Sequence, residues 1–199
     1  MPVDNFFCRK ATMEDDVKKI ARYLYETDPY IYPTICESAT DEDWVRFVHS
    51  CMEQKNNVYS VEHMWIIEDD KEILGVACIV PGGAELTLMK EVNVPSRLFS
   101  GLQTVVEGYY TPLIRENKEL TGYNIVNLCI DAGYRGKGLG RRLLAYCIGE
   151  LRREIHLDVI AANKGAIRLY QEMGFVIQSE YVGFSGSEEI LPCFHMTRG

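Results

Sequence analysis

Four cations and four glycines crowd one short stretch, Asp131-Ala132-Gly133-Tyr134-Arg135-Gly136-Lys137-Gly138-Leu139-Gly140-Arg141-Arg142. Glycine lacks a Cβ and tolerates positive φ, so successive main-chain N–H groups can turn toward one point, and the start of a following helix adds positive potential there. Arg135, Lys137, Arg141 and Arg142 place charge at the same spot, in a chain whose formal net charge is -8. A phosphate or pyrophosphate is the natural guest. No glycine here is followed by Lys and then Ser or Thr, which excludes the phosphate loop of NTPases. A dinucleotide pattern begun at Gly136 or Gly138 would need glycine where Arg141 or Leu143 stands. The pattern present is R-x-x-G-x-G, from Arg135 to Gly140.

Such a turn works only between a strand that delivers it and a helix that it opens. Tyr123 to Ile130 has the strongest strand pattern in the chain, and apolar spacing predicts a helix over about 138–153 with Leu139, Leu143, Leu144, Cys147, Ile148 and Leu151 on its buried stripe. A strand over about 155–161 and a helix over about 164–173 follow, with Gly174 as the left-handed residue closing that helix. Upstream, the pattern predicts a strand over 6–12 and a helix over about 14–26, with Thr12 and Asp15-Asp16 supplying its cap. A second helix runs from Thr40 to about Gln54, and strands over 64–68 and 73–80 join through Asp69 to Glu72. A helix over about 95–116 and a closing pair of strands, 175–184 and 190–196, complete the reading. No repeat or linker divides the chain, so residues 1–199 are expected to form one domain. Strand pairs combined with a strand, helix, strand, helix run predict a mixed sheet with helices on both faces.

A second constellation lies on the helix after the strand at 155–161. Asn163, Ala166, Leu169 and Tyr170 spell N-x-x-A-x-x-L-Y, followed by Gly174-Phe175. Taken alone, Asn163 reads as a helix cap and Tyr170 as a half-buried aromatic. The two motifs, in this order and context, resemble the GNAT superfamily of N-acetyltransferases over about residues 123–184, while the N-terminal half agrees in element order only. The resemblance implies an α/β (α+β) fold with a mixed, mostly antiparallel central sheet, helices on both faces, and splayed fourth and fifth strands. It implies acetyl-CoA as co-substrate, with no metal, and direct transfer of the acetyl group to a primary amine of a small molecule or peptide.

In proteins that look like this the pantetheine arm lies in the splay like an added strand, so Leu128, Cys129 and Ile130 would offer main-chain groups to it. The pyrophosphate would rest on the amides of Arg135, Gly136, Lys137, Gly138, Leu139 and Gly140, with Arg141 beside them and Asn163 and Ala166 on the opposite wall. Tyr170 would protonate the leaving thiolate, and a main-chain N–H near Ile130 would meet the developing oxyanion. The fourth strand offers Asn124 and Asn127 where related enzymes often carry a carboxylate base, so Glu107, His63, Glu26 and Asp28 are the alternatives. Cys129 reads as a packing residue rather than a nucleophile. Acceptor-site elements are expected at about 14–54, with the aromatic Tyr30-Ile31-Tyr32-Pro33, and at about 84–117; a cationic amine suits their acidic residues. A cofactor-binding sensor and a plain interaction domain stand as the competing classes.

The bulk numbers narrow the partners. The net charge of -8 argues against nucleic acid or an anionic membrane, which select Lys and Arg. Seven cysteines form no C-x-x-C pair and no metal spacing, as expected for free thiols in a reducing cytosol. No apolar run approaches the ~20 residues needed to span a bilayer, and Met1 to Asp4 opens no export signal, so a cytoplasmic protein is expected, with a homodimer left open.

Overall fold

The computed structural model describes residues 5–27, 40–55, 57–83, 121–183 and 191–199. In chain order these form β1 (Phe7–Lys10), α1 (Val17–Thr27), α2 (Asp41–Glu53), β2 (Met64–Glu68), β3 (Ile73–Pro81), β4 (Tyr123–Ile130), α3 (Leu139–Leu151), β5 (Ile155–Ile160), α4 (Lys164–Glu172), β6 (Val176–Gly183) and β7 (Leu191–Arg198). The seven strands make one sheet in the order β1-β2-β3-β4-β5-β7-β6, in which only β4 and β5 run parallel. This is the mixed, mostly antiparallel architecture expected from the sequence. The helix expected over about 95–116 and the Tyr30 to Pro33 segment lie outside the described residues.

Period-two alternation divides the core between the two sheet faces. Met64 and Ile66 of β2, with Val76 and Cys78 of β3, pack with Ile20, Tyr23, Leu24, Trp44 and Phe47 of α1 and α2. Trp65 and Ile67 of β2, with Ile125 and Ile130 of β4, pack on the other face with Leu139, Leu143, Leu144, Ile167 and Tyr170 of α3 and α4. The indole Nε1 of Trp44 donates to the Ala21 carbonyl at 2.7 Å and pins α2 to α1. At the start of α2, Thr40 and Asp43 form a reciprocal capping box. The cap of α1 is divided differently from the expectation: Asp16 Oδ1 accepts from the amides of Lys18 and Lys19. Thr12 and Asp15 instead close the preceding turn, where Arg9 holds both Asp15 and Glu68.

The six described cysteines are free thiols, and all but Cys8 are buried. Burial pushes the Cys51, Cys78 and Cys147 thiols up to about 12, so they stay protonated and act as packing groups. Two glycines sit where the backbones press together. A Cβ on Gly122, whose φ is +82°, would lie 2.1 Å from the Glu154 carbonyl oxygen, where β4 and β5 begin. A Cβ on Gly75 of β3 would lie 2.5 Å from Ile130 Cδ1 and 2.6 Å from the Cys129 carbonyl oxygen of β4. Gly75→Ala therefore forces β4 outward at its carboxyl end, and a loss of about 1–3 kcal/mol in denaturant unfolding is expected; stability equal to wild type would show that β4 yields freely there.

Candidate active site

The site begins with a change of phase in β4. Its parallel pairing with β5 covers Tyr123↔Ile155, Asn124↔His156 and Ile125↔Leu157 and stops there, although both strands continue. On its other side β4 stays paired with β3 through Ile130, with a register shift that leaves Val126 as the extra residue of a bulge. The Tyr123 amide donates toward β5, to the Glu154 carbonyl at 2.9 Å, whereas the Asp131 amide donates toward β3, to the Leu74 carbonyl at 2.8 Å. These residues are an even number apart, so unbroken alternation would have turned both amides the same way. The bulge reverses the phase. Beyond it the antiparallel ladder directs the main-chain groups of Asn127 and Cys129 to β3 and those of Leu128 and Ile130 to the edge that β5 has left. The bulge also sets both Val126 and Asn127 on the α1 face, the latter donating from Nδ2 to Thr27 Oγ1 at 2.6 Å.

Of the three residues expected to offer main-chain groups at the splay, Leu128 and Ile130 thus turn them to the gap. Cys129 gives its own to Val76 of β3, and its side chain packs in the α1-face core. The Ile130 carbonyl accepts from Arg135 Nε at 2.9 Å, which leaves the Ile130 N–H directed at the gap.

Asp131 then shapes the turn. Its Oδ1 accepts from the Gly133 amide at 2.9 Å and its carbonyl from Tyr134 at 2.9 Å, winding Ala132–Tyr134 into a 3₁₀ turn. Gly136 and Gly138 follow with φ of +77° and +84°, and a Cβ on either would meet nothing within 4 Å. They are glycines for the sign of φ, and the space above them is open. Gly138 is the N-cap of α3, and the first helical bond runs from the Arg142 amide to the Gly138 carbonyl at 3.0 Å. The amides of Leu139, Gly140 and Arg141 consequently have no acceptor within the helix. A Cβ on Gly140 would meet Leu169 Cδ2 at 3.5 Å and Ile130 Cγ1 at 3.6 Å, and the neighbouring Leu139 shares an apolar cluster with Ile130 and Leu169, which ties the helix start to α4 and β4.

The cationic side chains of this stretch have other partners. Arg135 pairs with Glu26 of α1 at 3.1 Å, Arg141 with Glu172 of α4, and Arg142 with the Phe6 carbonyl. Lys137 lies over the Tyr134 ring. Main-chain amides, backed by a locally positive field, are what the turn presents.

On α4, Asn163 Oδ1 accepts from the Ala166 amide at 3.1 Å, a helix cap with Ala166 half-buried behind it. Tyr170 is 8% exposed, packed with Phe175 at a ring distance of 5.7 Å, and shares its apolar cluster with Ile130 and Leu139. Burial pushes its phenol from the ordinary 10.0 up to about 12. Ile130 of β4, Leu139 of α3 and Tyr170 of α4 therefore share one apolar cluster, with Leu128, Ala166 and Leu169 packed against it.

The α1 side of the gap is held by a charged network. Arg22 and Tyr23 both reach Asp131 Oδ2, at 2.5 and 3.1 Å, and Glu26 lies 4.0 Å from the Cys129 thiol while binding Arg22 and Arg135. Burial, then the Glu26 charge, pushes the Cys129 thiol up to about 11, so it remains a thiol near neutrality. Of the four base candidates, Glu26 stands beside β4. His63 bonds the Asn57 carbonyl at 2.9 Å at the start of β2, where burial pushes its pKa down. Glu107 and Asp28 lie outside the described residues. A further cluster was not recognised from sequence: His156 and Asp158 of β5 with His195 of β7, joined by contacts of 3.0 and 3.4 Å. Its sequence signal is only the i, i+2 spacing of His156 and Asp158, because the third member arrives through strand pairing. Among the described residues no cluster of three or more His, Cys, Asp or Glu could hold a metal ion, and no helix is long and apolar enough to cross a membrane.

A mixed sheet with one parted parallel pair, a glycine turn at the parting and a buried tyrosine across it defines an acyltransferase type of scaffold. The chain belongs to the GNAT family of acetyltransferases, whose family model matches residues 21–175. It is 40% identical over 55 residues to the [ribosomal protein bS18]-alanine N-acetyltransferase of Escherichia coli (strain K12), covering 26% of this chain and 37% of that protein. It is 39% identical over 64 residues to the spermine/spermidine N(1)-acetyltransferase of Bacillus subtilis (strain 168), covering 30% and 41%. These matches thus span well under half of each relative. Among solved structures, an N-acetyltransferase from Staphylococcus aureus Mu50 superimposes with a TM-score of 0.77 at 20% identity, over 96% of this chain and 100% of that one. The yncA protein of Salmonella typhimurium, solved with its cofactor acetyl-CoA, superimposes with a TM-score of 0.57 at 15% identity, over 98% and 93%.

The raised phenol has a consequence for stability. Below pH 10 folded and unfolded chains both keep the Tyr170 proton; between 10 and about 12 the unfolded chain ionises first, so the native state loses stability as pH rises. Tyr170→Phe is expected to lose less stability than wild type across that alkaline window in urea melts, and parallel losses would show that the phenol is not held protonated.

Proposed function

We propose that this protein transfers the acetyl group of acetyl-CoA directly to a primary amine of a small molecule or peptide. The observation that carries the reading is the phase reversal in β4, which turns the main-chain groups of Leu128 and Ile130 to an edge that β5 has vacated. An extended amide-bearing arm fits that edge as an added strand does. The gap leads to a helix start with unbonded amides at Leu139, Gly140 and Arg141 and open space over Gly136 and Gly138, which suits a pyrophosphate.

When bound there, acetyl-CoA supplies the activated thioester carbonyl. The chain's own residues do the rest. Leu128 and Ile130 orient the arm, and the Ile130 N–H stands where oxygen charge develops. Tyr170 stays protonated at neutral pH and donates to the departing sulfur. Cys129 supports the direct route, since its raised thiol is a poor nucleophile near neutrality. The two relatives above are named for alanine N-acetylation of ribosomal protein bS18 and for N(1)-acetylation of spermine and spermidine, so the acceptor named in each is an amine.

Acetyl-CoA at about a hundred times its Kd should stabilise the protein by ~2.7 kcal/mol in a thermal-shift assay, and thiol release should follow with at least one amine of a panel containing spermidine and an alanine-initiated peptide. No shift would end the acetyltransferase reading. Gly138→Asp places a side chain and a negative charge on a backbone of φ +84°, and calorimetry should then detect no acetyl-CoA binding; wild-type affinity would place the pyrophosphate elsewhere. Tyr170→Phe should lower kcat on the order of a hundredfold while acetyl-CoA affinity is kept. Equal turnover would remove Tyr170 from the chemistry.

A further inference from the structure

β4 carries Asn124 and Asn127 on its α1 face, and neither amide can take up a proton near neutral pH. The neighbouring strands hold what β4 lacks. His156 is in register with Asn124 and so stands on the same face of the sheet. Asp158 is the next residue of β5 on that face, past Leu157↔Ile125, the last rung shared with β4, and therefore at the border of the gap. His195 of β7 lies directly opposite Asp158.

The three side chains and one carbonyl form a line. His156 Nε2 contacts the Thr121 carbonyl at 3.1 Å, His156 Nδ1 contacts His195 Nε2 at 3.4 Å, and His195 Nδ1 contacts Asp158 Oδ1 at 3.0 Å. The two ring centroids are 5.6 Å apart while the facing nitrogens are 3.4 Å apart, so the rings meet end to end rather than face to face. Glu154 lies 3.6 Å from His156 Nε2 at one end of the line. Among the described residues, Glu154 and Asp158 from β5, Thr121 and Asn124 from β4 and its approach, Thr197 from β7 and Ser179 from β6 stand around the pair, and His195 has a further contact besides these.

Proton counting gives the line its meaning. The Thr121 carbonyl only accepts, so His156 Nε2 must carry hydrogen. Nδ1 of His156 can then accept from His195 Nε2, which must carry another. The contact between His195 Nδ1 and Asp158 needs a third hydrogen, on the ring or on the carboxyl. Two neutral imidazoles supply two. The complete line therefore holds one proton more than two neutral rings and an ionised aspartate, and removing that proton breaks one of its three links. The side chains of Asp158 and His195 are 29% and 26% exposed, so a proton can enter at that end.

We propose that Asp158, His195 and His156 form the relay that takes the proton shed by the amine acceptor, with Asp158 as its entry at the gap. This rests on the acetyltransferase reading above. An ammonium acceptor gives one proton to Asp158 and becomes the neutral amine. Its nitrogen then forms the C–N bond as the C–S bond breaks; Tyr170 gives its proton to the sulfur and is restored by the second proton from nitrogen. The relay returns the first proton to solvent, so the cycle balances.

Two measurements test it. In nitrogen-15 spectra of the histidine-labelled wild-type protein taken as pH falls, one proton should enter the His195–Asp158 pair while His156 keeps its own on Nε2, over the same pH range as the acidic limb of turnover; two rings that titrate independently of each other would overturn the relay. In pH profiles with acetyl-CoA and whichever of spermidine or the alanine-initiated peptide turns over, wild-type kcat/KM should show an acidic limb. His195→Gln and Asp158→Asn should each lower kcat/KM on the order of a hundredfold, abolish that limb and keep acetyl-CoA affinity. A folded variant with the wild-type profile would overturn the proposal. If acetyl-CoA fails to bind the wild type, the acetyltransferase reading falls, whereas independent titration of the two rings removes the relay alone.

Discussion

One extra residue in β4 decides what this sheet can hold. A regular parallel pair has no room for a guest, because each main-chain group already has a partner. Inserting Val126 rotates the following residues by one place, so that Leu128 and Ile130 present N–H and C=O to a neighbour that is no longer there. The neighbour has left because β5 continues with β7, its antiparallel partner along its whole length, rather than follow the bent β4. Buried polar backbone demands a partner, and the fold supplies the demand without the supply. Such an edge is poised for strand addition.

The surrounding elements keep this arrangement from relaxing. Gly75 allows β3 to approach Ile130 closely enough to hold the bent end of β4 in the sheet. Asp131 is gripped from α1 by Arg22 and Tyr23 while it winds the following turn with its other oxygen. Its carboxyl is held below the ordinary range first by the Gly133 amide and then by these partners. The turn is thus anchored at both ends, by α1 before it and by the apolar cluster that Leu139 shares with Leu169 after it. Rigid support of a loop whose own atoms face open space is what a binding turn requires.

Much of this was legible in the letters, and the reasons are local. The strand, turn and helix around Arg135 to Gly140 announce themselves because positive φ, apolar spacing and a helix start are all short-range properties. Tyr170 and Asn163 could be placed on one helix from their spacing alone. The partners of the cationic side chains were not legible: Arg135, Arg141 and Arg142 pair with Glu26, Glu172 and the Phe6 carbonyl, each far away in sequence, so no local pattern foretells them. The same limit hid the line of His156, His195 and Asp158, which exists only because β7 returns beside β5. Cys129 could not be separated from Leu128 and Ile130 without knowing where the bulge lies.

The closed end of the parted pair behaves as the vertex of a lever. Gly122 admits no side chain against the Glu154 carbonyl, and Tyr123 is bonded to that same oxygen, so the two strands meet there with little freedom. Thr121 and Glu154 are bonded to each other across this vertex, and His156 holds Thr121 from β5. A small rotation at the vertex becomes a larger displacement at the far end, near Ile130 and Ile160. The aperture in which a substrate would lie is therefore governed from residues that never touch it.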